Sequence, residues 1–119
     1  MLVEILGPDF EHADERGKLI QLARDGYKQI NVIESKAGSF RGGHYHELNR
    51  EVFYVVRGEI ELTVRKDGES ETLRFKAGDM FLVPPHVAHD FLYLSDTILV
   101  AMYDKGVELG NGEMDILRG

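Results

Sequence analysis

The 119-residue sequence predicts an all-β barrel or sandwich, and three observations carry that prediction. Short runs rich in β-branched, aromatic and alternating residues recur along the chain. Turn residues punctuate them at regular intervals, and no stretch shows an amphipathic helical period. Lys28–Ser35 sets Ile30 and Val32 on one side with Gln29 and Asn31 opposite, so its polar side faces either solvent or a ligand. Glu51–Val56 is apolar and aromatic, and Glu59–Arg65 alternates, with Ile60, Leu62 and Val64 on one face. Asp67-Gly68 supplies a hairpin turn into Glu71–Phe75, where Leu73 and Phe75 continue the apolar face. Ala77-Gly78-Asp79 turns the chain into Met80–Val83, and Pro84-Pro85 halts that strand. His89–Leu94 and Thr97–Tyr103 follow; Met80 and Phe81 belong to a core or an interface. Leu19–Ala23 reads as a strand or one helical turn, and Gly106–Gly119 as a tail with a terminal strand at Met114–Leu117.

Composition narrows the function classes. At 43% hydrophobic and 29% charged residues the chain suits one globular domain over 1–119. With 21 acidic and 14 basic side chains its net charge is −7, which repels a phosphate backbone and disfavours nucleic acid as a partner. The absence of cysteine removes disulfides and thiolate metal sites, so any metal must take nitrogen and oxygen ligands. No apolar run is long enough to cross a bilayer and no basic-then-apolar leader follows Met1, so the expected compartment is the cytoplasm, with no membrane partner.

His44, His46 and His89 fall in two compact groups. The first runs from Gly38 through Arg41-Gly42-Gly43-His44-Tyr45-His46 to Glu51 and Gly58. His44 and His46 are two apart, so on a strand both imidazoles project to one face. Glu51 follows at an odd spacing, and the polar Glu47–Arg50 segment is placed to reset the phase as a loop. The second group, Gly78 through Pro84-Pro85-His86 to His89, brings a third imidazole from another strand. Three imidazoles and a carboxylate suit one divalent first-row metal, with positions left for water or substrate; zinc, manganese, iron, nickel and copper all accept such ligands.

These stretches match the two sequence motifs of the cupin superfamily. Gly38, His44-x-His46, Glu51 and Gly58 keep the spacing of the first motif, and Gly78, Pro84 and His89 that of the second. The second motif's later glycine is here His86, and its closing asparagine is Tyr93. The resemblance implies a small jelly-roll barrel, the double-stranded β-helix, with motif 1 at 38–58 and motif 2 at 78–93. It also implies a metal inside the mouth, on His44, His46, Glu51 and His89.

A finer resemblance lies upstream. Asp14-Glu15-Arg16-Gly17, Lys28-Gln29-Ile30-Asn31 and Arg41-Gly42-Gly43-His44 are similar, in order, to segments of rhamnose-pathway epimerases and sugar 3,4-ketoisomerases. The zinc-bearing cupin domain of capsular-polysaccharide epimerase/reductases resembles the chain better, since it also carries the downstream glutamate. The resemblance gives Arg16 a diphosphate contact, makes Gln29 and Asn31 ligand-facing, and gives His44 the role of a base. From the residues themselves, Arg41 reads as a second phosphate contact or as a solvated loop arginine paired with a surface carboxylate, Arg16 also as part of a charged turn, and His86 as a pocket-rim residue or a hydrogen-bond partner behind the site. Among the tyrosines, Tyr45 alternates away from His44 and His46 and Tyr54 is out of phase with Glu51. Tyr93 shares the face of His89 and Phe91, which makes it the tyrosine for the barrel interior, as proton carrier or as core aromatic.

Together these residues lead to a metal-dependent isomerase or epimerase acting on a sugar nucleotide or related keto-sugar, an anionic small molecule. Two alternatives stand beside it: an Fe(II)-dependent dioxygenase, and a non-catalytic metal-dependent binding module. A barrel this small leaves edge strands that need cover, so a homodimer is expected.

Overall fold

The structure, a computed structural model, describes residues 1–119. It is built of strands and turns with no helix, hence none long and apolar enough to cross a membrane. The N-terminal strands are β1 (Glu4–Leu6), β2 (Phe10–Asp14), β3 (Gly17–Gln21) and β4 (Gln29–Ser35). Next come β5 (Phe40–Tyr45), β6 (Glu51–Arg57), β7 (Glu59–Lys66) and β8 (Glu69–Lys76). The chain closes with β9 (Met80–Val83), β10 (Ala88–Tyr93), β11 (Thr97–Tyr103) and the short β12 (Leu117–Arg118). Two five-stranded antiparallel sheets, ordered β1-β9-β6-β11-β4 and β12-β5-β10-β7-β8, face each other across the core, and β2-β3 forms a separate hairpin.

Period-2 alternation decides what each strand buries. On β7, Ile60, Leu62 and Val64 are fully buried while their neighbours are half-buried. They meet Phe53, Val55, Phe81 and Leu99 from the opposite sheet, and burying each such side chain contributes about 1.5–3 kcal/mol. Asp67 and Gly68 turn β7 into β8 with φ of 50° and 82°, the left-handed pair that a two-residue hairpin loop needs.

Glu51–Val55 is buried at every position because β6 is covered on both faces there, whereas Val56 emerges to solvent. Phe53 and Val55 enter the main core, whereas Val52 and Tyr54 join Met80, Leu82 and Met102 in a second cluster on the outer face. Leu6, Ile20, Leu22, Ala23 and Tyr27 from the N-terminal segments cover that cluster.

The N-terminal region differs from the sequence expectation. Leu19–Ala23 is a strand only through Gln21, paired with β2, and Glu15-Arg16 is the two-residue loop between Asp14 and Gly17. The terminal strand lies at Leu117–Arg118 rather than at Met114–Leu117, because Met114 instead bridges back to Glu108.

Candidate functional site

A cavity of about 460 Å³ opens between the inner faces of the two sheets. Its polar lining is Arg41, His44, His46, Glu51, His89, Tyr93 and Tyr103, and Ile33, Phe53, Phe91 and Ile116 add apolar walls.

Arg41 and His44 are three residues apart and would point to opposite faces of a regular strand. Across the sheet, however, His44 pairs with His89 and Arg41 with Phe91, so one residue of β10 separates the two pairs while two residues of β5 do. The extra residue is a bulge at Gly42-Gly43, and it returns both side chains to the pocket face. Gly43 sits at φ 74° and donates its N–H to Asp90 Oδ1 at 2.6 Å. A Cβ on Gly42 would collide with that same carboxylate, 2.8 Å from its Cγ. The Arg-Gly-Gly-His sequence is therefore a glycine bulge folded around the Asp90 carboxylate, which Arg65 holds from the other side.

Three of the expected ligands come together. His46, Glu51 and His89 are buried, and one donor atom of each lies within 4.8 Å of the others. His46 Nε2 is 3.0 Å and His89 Nε2 is 3.5 Å from the same atom, Glu51 Oε1. The other nitrogen of each ring is taken by a main-chain carbonyl: His46 Nδ1 donates to Asp115 O at 2.6 Å, and His89 Nδ1 to Val87 O at 3.1 Å. A carbonyl can only accept, so each Nδ1 carries a proton and each Nε2 faces Glu51, to which it donates when the ring is protonated and beside which it offers a lone pair when the ring is neutral. With the rings neutral, two Nε2 lone pairs and a carboxylate oxygen form a donor set that fits a metal with open positions. His44 lines the same cavity but is exposed and lies outside the cluster.

Electrostatics follow from the geometry. Burial opposes charge on His46, but Glu51 and the Asp115 carbonyl outweigh it and hold the imidazole above its ordinary pKa. Burial likewise opposes charge on Glu51, and the two imidazoles overcome it and hold the carboxyl below its ordinary range. Tyr93 and Tyr103 are pushed up by burial; the Glu51 charge adds to the rise at Tyr103, and Ser35 and Arg41 offset part of it at Tyr93. The Arg41 guanidinium donates to Ser35 Oγ at 3.0 Å and to Glu34 O at 3.3 Å.

Four expected site residues are placed elsewhere. Arg16 stands exposed on the β2–β3 turn, paired with Asp14 at 2.6 Å. Gln29 and Asn31 share the inner phase of β4 with Ile33, but neither lines the cavity, and Gln29 Oε1 accepts the Val107 N–H at 2.8 Å. His86 lies in a surface depression with Tyr45 and Arg65. It adopts φ 69° while its N–H donates to His46 O at 2.7 Å, the left-handed conformation that a glycine takes most easily. Sequence reasoning missed Tyr103, Asp115 and Ile116. Alternation in Thr97–Tyr103 would have put Tyr103 in phase with the buried Leu99 and Ala101, but the tail offers no such period.

The profile of the family described as "Polysaccharide biosynthesis C-terminal domain" matches residues 12–106. The chain is 27% identical over 108 residues to the spore coat polysaccharide biosynthesis protein SpsL of Bacillus subtilis, covering 78% of this chain and 72% of that protein. It is 39% identical over 59 residues to a 3-hydroxyanthranilate 3,4-dioxygenase of Burkholderia cenocepacia, covering 49% of this chain and only 33% of that enzyme's length. Among solved structures, a mutant of the 3,4-ketoisomerase QdtA of Thermoanaerobacterium thermosaccharolyticum, in complex with TDP-4-keto-6-deoxyglucose, superposes with a TM-score of 0.82 at 14% identity. That match covers 99% of this chain and 88% of the ketoisomerase. At such identity the likeness carries the fold alone, the jelly-roll barrel expected from the sequence.

Proposed function

This chain belongs to the polysaccharide biosynthesis C-terminal domain family and folds as a cupin, and from that premise we propose that it isomerises or epimerises a nucleotide-linked keto-sugar at a metal centre. His46, Glu51 and His89 would hold the ion, which when bound supplies Lewis acidity toward a carbonyl oxygen. The observation that carries the proposal is the convergence of the His46 and His89 Nε2 atoms on Glu51, with His44 outside that cluster but in the same cavity. His44 is thereby available as the base that takes the proton beside the carbonyl on a ring nitrogen. The Tyr103 phenol, kept protonated by burial and by Glu51, can return a proton to the other face of the same carbon or to the oxygen. Arg41, anchored on Ser35 and the Glu34 carbonyl, keeps further N–H donors for the diphosphate. The half-apolar walls from Ile33, Phe91 and Ile116 limit the water that reaches the reacting carbon.

The test is incubation of the metal-loaded protein with TDP-4-keto-6-deoxyglucose in D₂O, followed by proton NMR. Loss of the C–H signal beside the carbonyl is expected; tight binding without exchange would mark a non-catalytic module and overturn the assignment. The identity to a 3-hydroxyanthranilate dioxygenase over 59 residues favours a second reading, oxidative ring opening at Fe(II). Oxygen uptake by iron-loaded protein with 3-hydroxyanthranilate would decide for it.

A further inference from the structure

Outside the pocket lining, the buried polar groups of the C-terminal tail converge on one side chain. Asp115 is 3% exposed, and its carboxylate accepts four hydrogen bonds from the segment that follows His46. Oδ1 accepts the Glu47 N–H at 2.9 Å; Oδ2 accepts the N–H groups of Leu48 and Asn49, each at 3.1 Å, and Asn49 Nδ2 at 2.8 Å. Asn49, fully buried, accepts the Gly106 N–H at 2.9 Å and the Lys105 N–H at 3.1 Å on its own oxygen. The Asp115 N–H donates to Val107 O at 2.8 Å, and its carbonyl accepts His46 Nδ1–H.

We infer that Asp115 is the positioning residue for the His46 imidazole. The stretch Glu47–Asn49 lies between β5 and β6 without a strand partner, so its N–H groups depend on Asp115 for satisfaction. One residue thus does two things at once. Its side chain fixes the backbone that carries His46, and its carbonyl fixes the ring's tautomer and rotation so that Nε2 faces Glu51. Histidines with such an outer hydrogen bond present a defined nitrogen to a metal. His89 provides an internal control, because its Nδ1 bond goes to Val87 only two residues away and owes nothing to the tail. The assignment rests on the metal-centre reading above, but the position of the His46 ring can be measured without any metal.

The experiment uses the full chain labelled with ¹⁵N-histidine. Long-range ¹H–¹⁵N spectra of the metal-free protein at alkaline pH report the tautomer of each ring, and competition with a chromophoric chelator reports Zn(II) affinity. In Asp115→Ala, His46 is expected to lose its preference for the Nδ1–H tautomer while His89 keeps its own, and Zn(II) affinity is expected to fall roughly 10- to 100-fold. Asp115→Asn keeps an acceptor oxygen for three of the four donors and is expected to fall between wild type and alanine. An unchanged His46 tautomer with Zn(II) affinity within about twofold of wild type would overturn the assignment. If Asp115→Ala does not fold, the same two readouts on Asp115→Asn decide. A wild-type protein that ignores Zn(II) would defeat the metal centre, and the His46 tautomer would still decide the role of Asp115.

Discussion

Glu51 and Tyr103 are register partners across β6 and β11, both on the inner face, and Tyr103 meets the His46 ring edge-on with centroids 5.3 Å apart. The pair sets the carboxylate of the donor cluster across from the phenol proposed to return the proton. Tyr103→Phe keeps the ring that packs on His46 and removes only the O–H. Turnover measured by C–H exchange in D₂O is expected to fall roughly 10²- to 10⁴-fold with the fold unchanged. Exchange at the wild-type rate would remove Tyr103 from the chemistry.

Removing two ligands together tests the metal centre. His46→Ala plus Glu51→Ala is expected to abolish retention of metal through gel filtration while the circular dichroism spectrum stays that of a β protein. In the wild-type chain, metal at about 100 times its dissociation constant is expected to add about 2.7 kcal/mol of stability. A melting temperature that ignores added metal in wild type would count against the site.

Groups shifted in opposite directions shape the pH window of the metal-free protein: Glu51, Asp90 and Asp115 on the acid side and His46 on the alkaline side. Burial raises the Asp115 pKa, but the Asn49 side chain and the N–H groups of residues 47–49 outweigh it, so the folded value lies below 3.8. The Asp115 contribution is therefore complete above 3.8 and is lost as pH falls through the lower folded value. His46 is held above 6.5, so its contribution is complete below 6.5 and is lost as pH rises through the higher folded value. Denaturation midpoints across pH should trace a dome between these limits. Asp115→Asn should shallow the acid limb, and an acid limb of unchanged slope would show that the Asp115 carboxylate contributes nothing to it.

The glycine bulge can be tested by adding a single methyl group. Gly42→Ala drives a Cβ into the Asp90 carboxylate, 2.8 Å from its Cγ, and that carboxylate is already pinned by Gly43 and Arg65. The substitution is expected to cost about 1–3 kcal/mol in denaturant unfolding, the usual range for overpacking. Gly110→Ala, where a Cβ meets nothing within 4 Å, serves as the neutral control.

Strand β4 ends its sheet, and its outward side chains Ile30 and Val32 are 62% and 68% exposed. An apolar edge of this kind is the natural surface for a second copy. A homodimer is expected by light scattering, and Val32→Glu is expected to shift it to monomer. A wild-type monomer at micromolar concentration would reject this interface.

Strand periodicity was legible wherever a strand's pattern was local. Ile60, Leu62 and Val64 read as one face, and that face is the core. The same alternation separated Ile30 and Val32 from Gln29 and Asn31, but it could not say which side lay inside. Position in the sheet decided that: β4 is an edge strand whose inner side meets the tail and whose apolar side looks outward. Motif spacing grouped His44, His46, Glu51 and His89; the fold brings donor atoms of the last three within 4.8 Å of one another and leaves His44 on the same cavity wall, since two residues apart on a strand means only a shared face and not a shared point.

What the chain alone determined was a set of short-range preferences: which runs extend, where they turn, and which residue types could carry acid–base or ligand chemistry. What the folded molecule decided was every relation between distant positions, such as the Asp115 carbonyl on a ring 69 positions away and Arg41 swung back beside His44 by one extra glycine. The division has a physical cause. Backbone alternation is a property of neighbouring residues, whereas the meeting of side chains depends on register, bulges and which strands happen to adjoin.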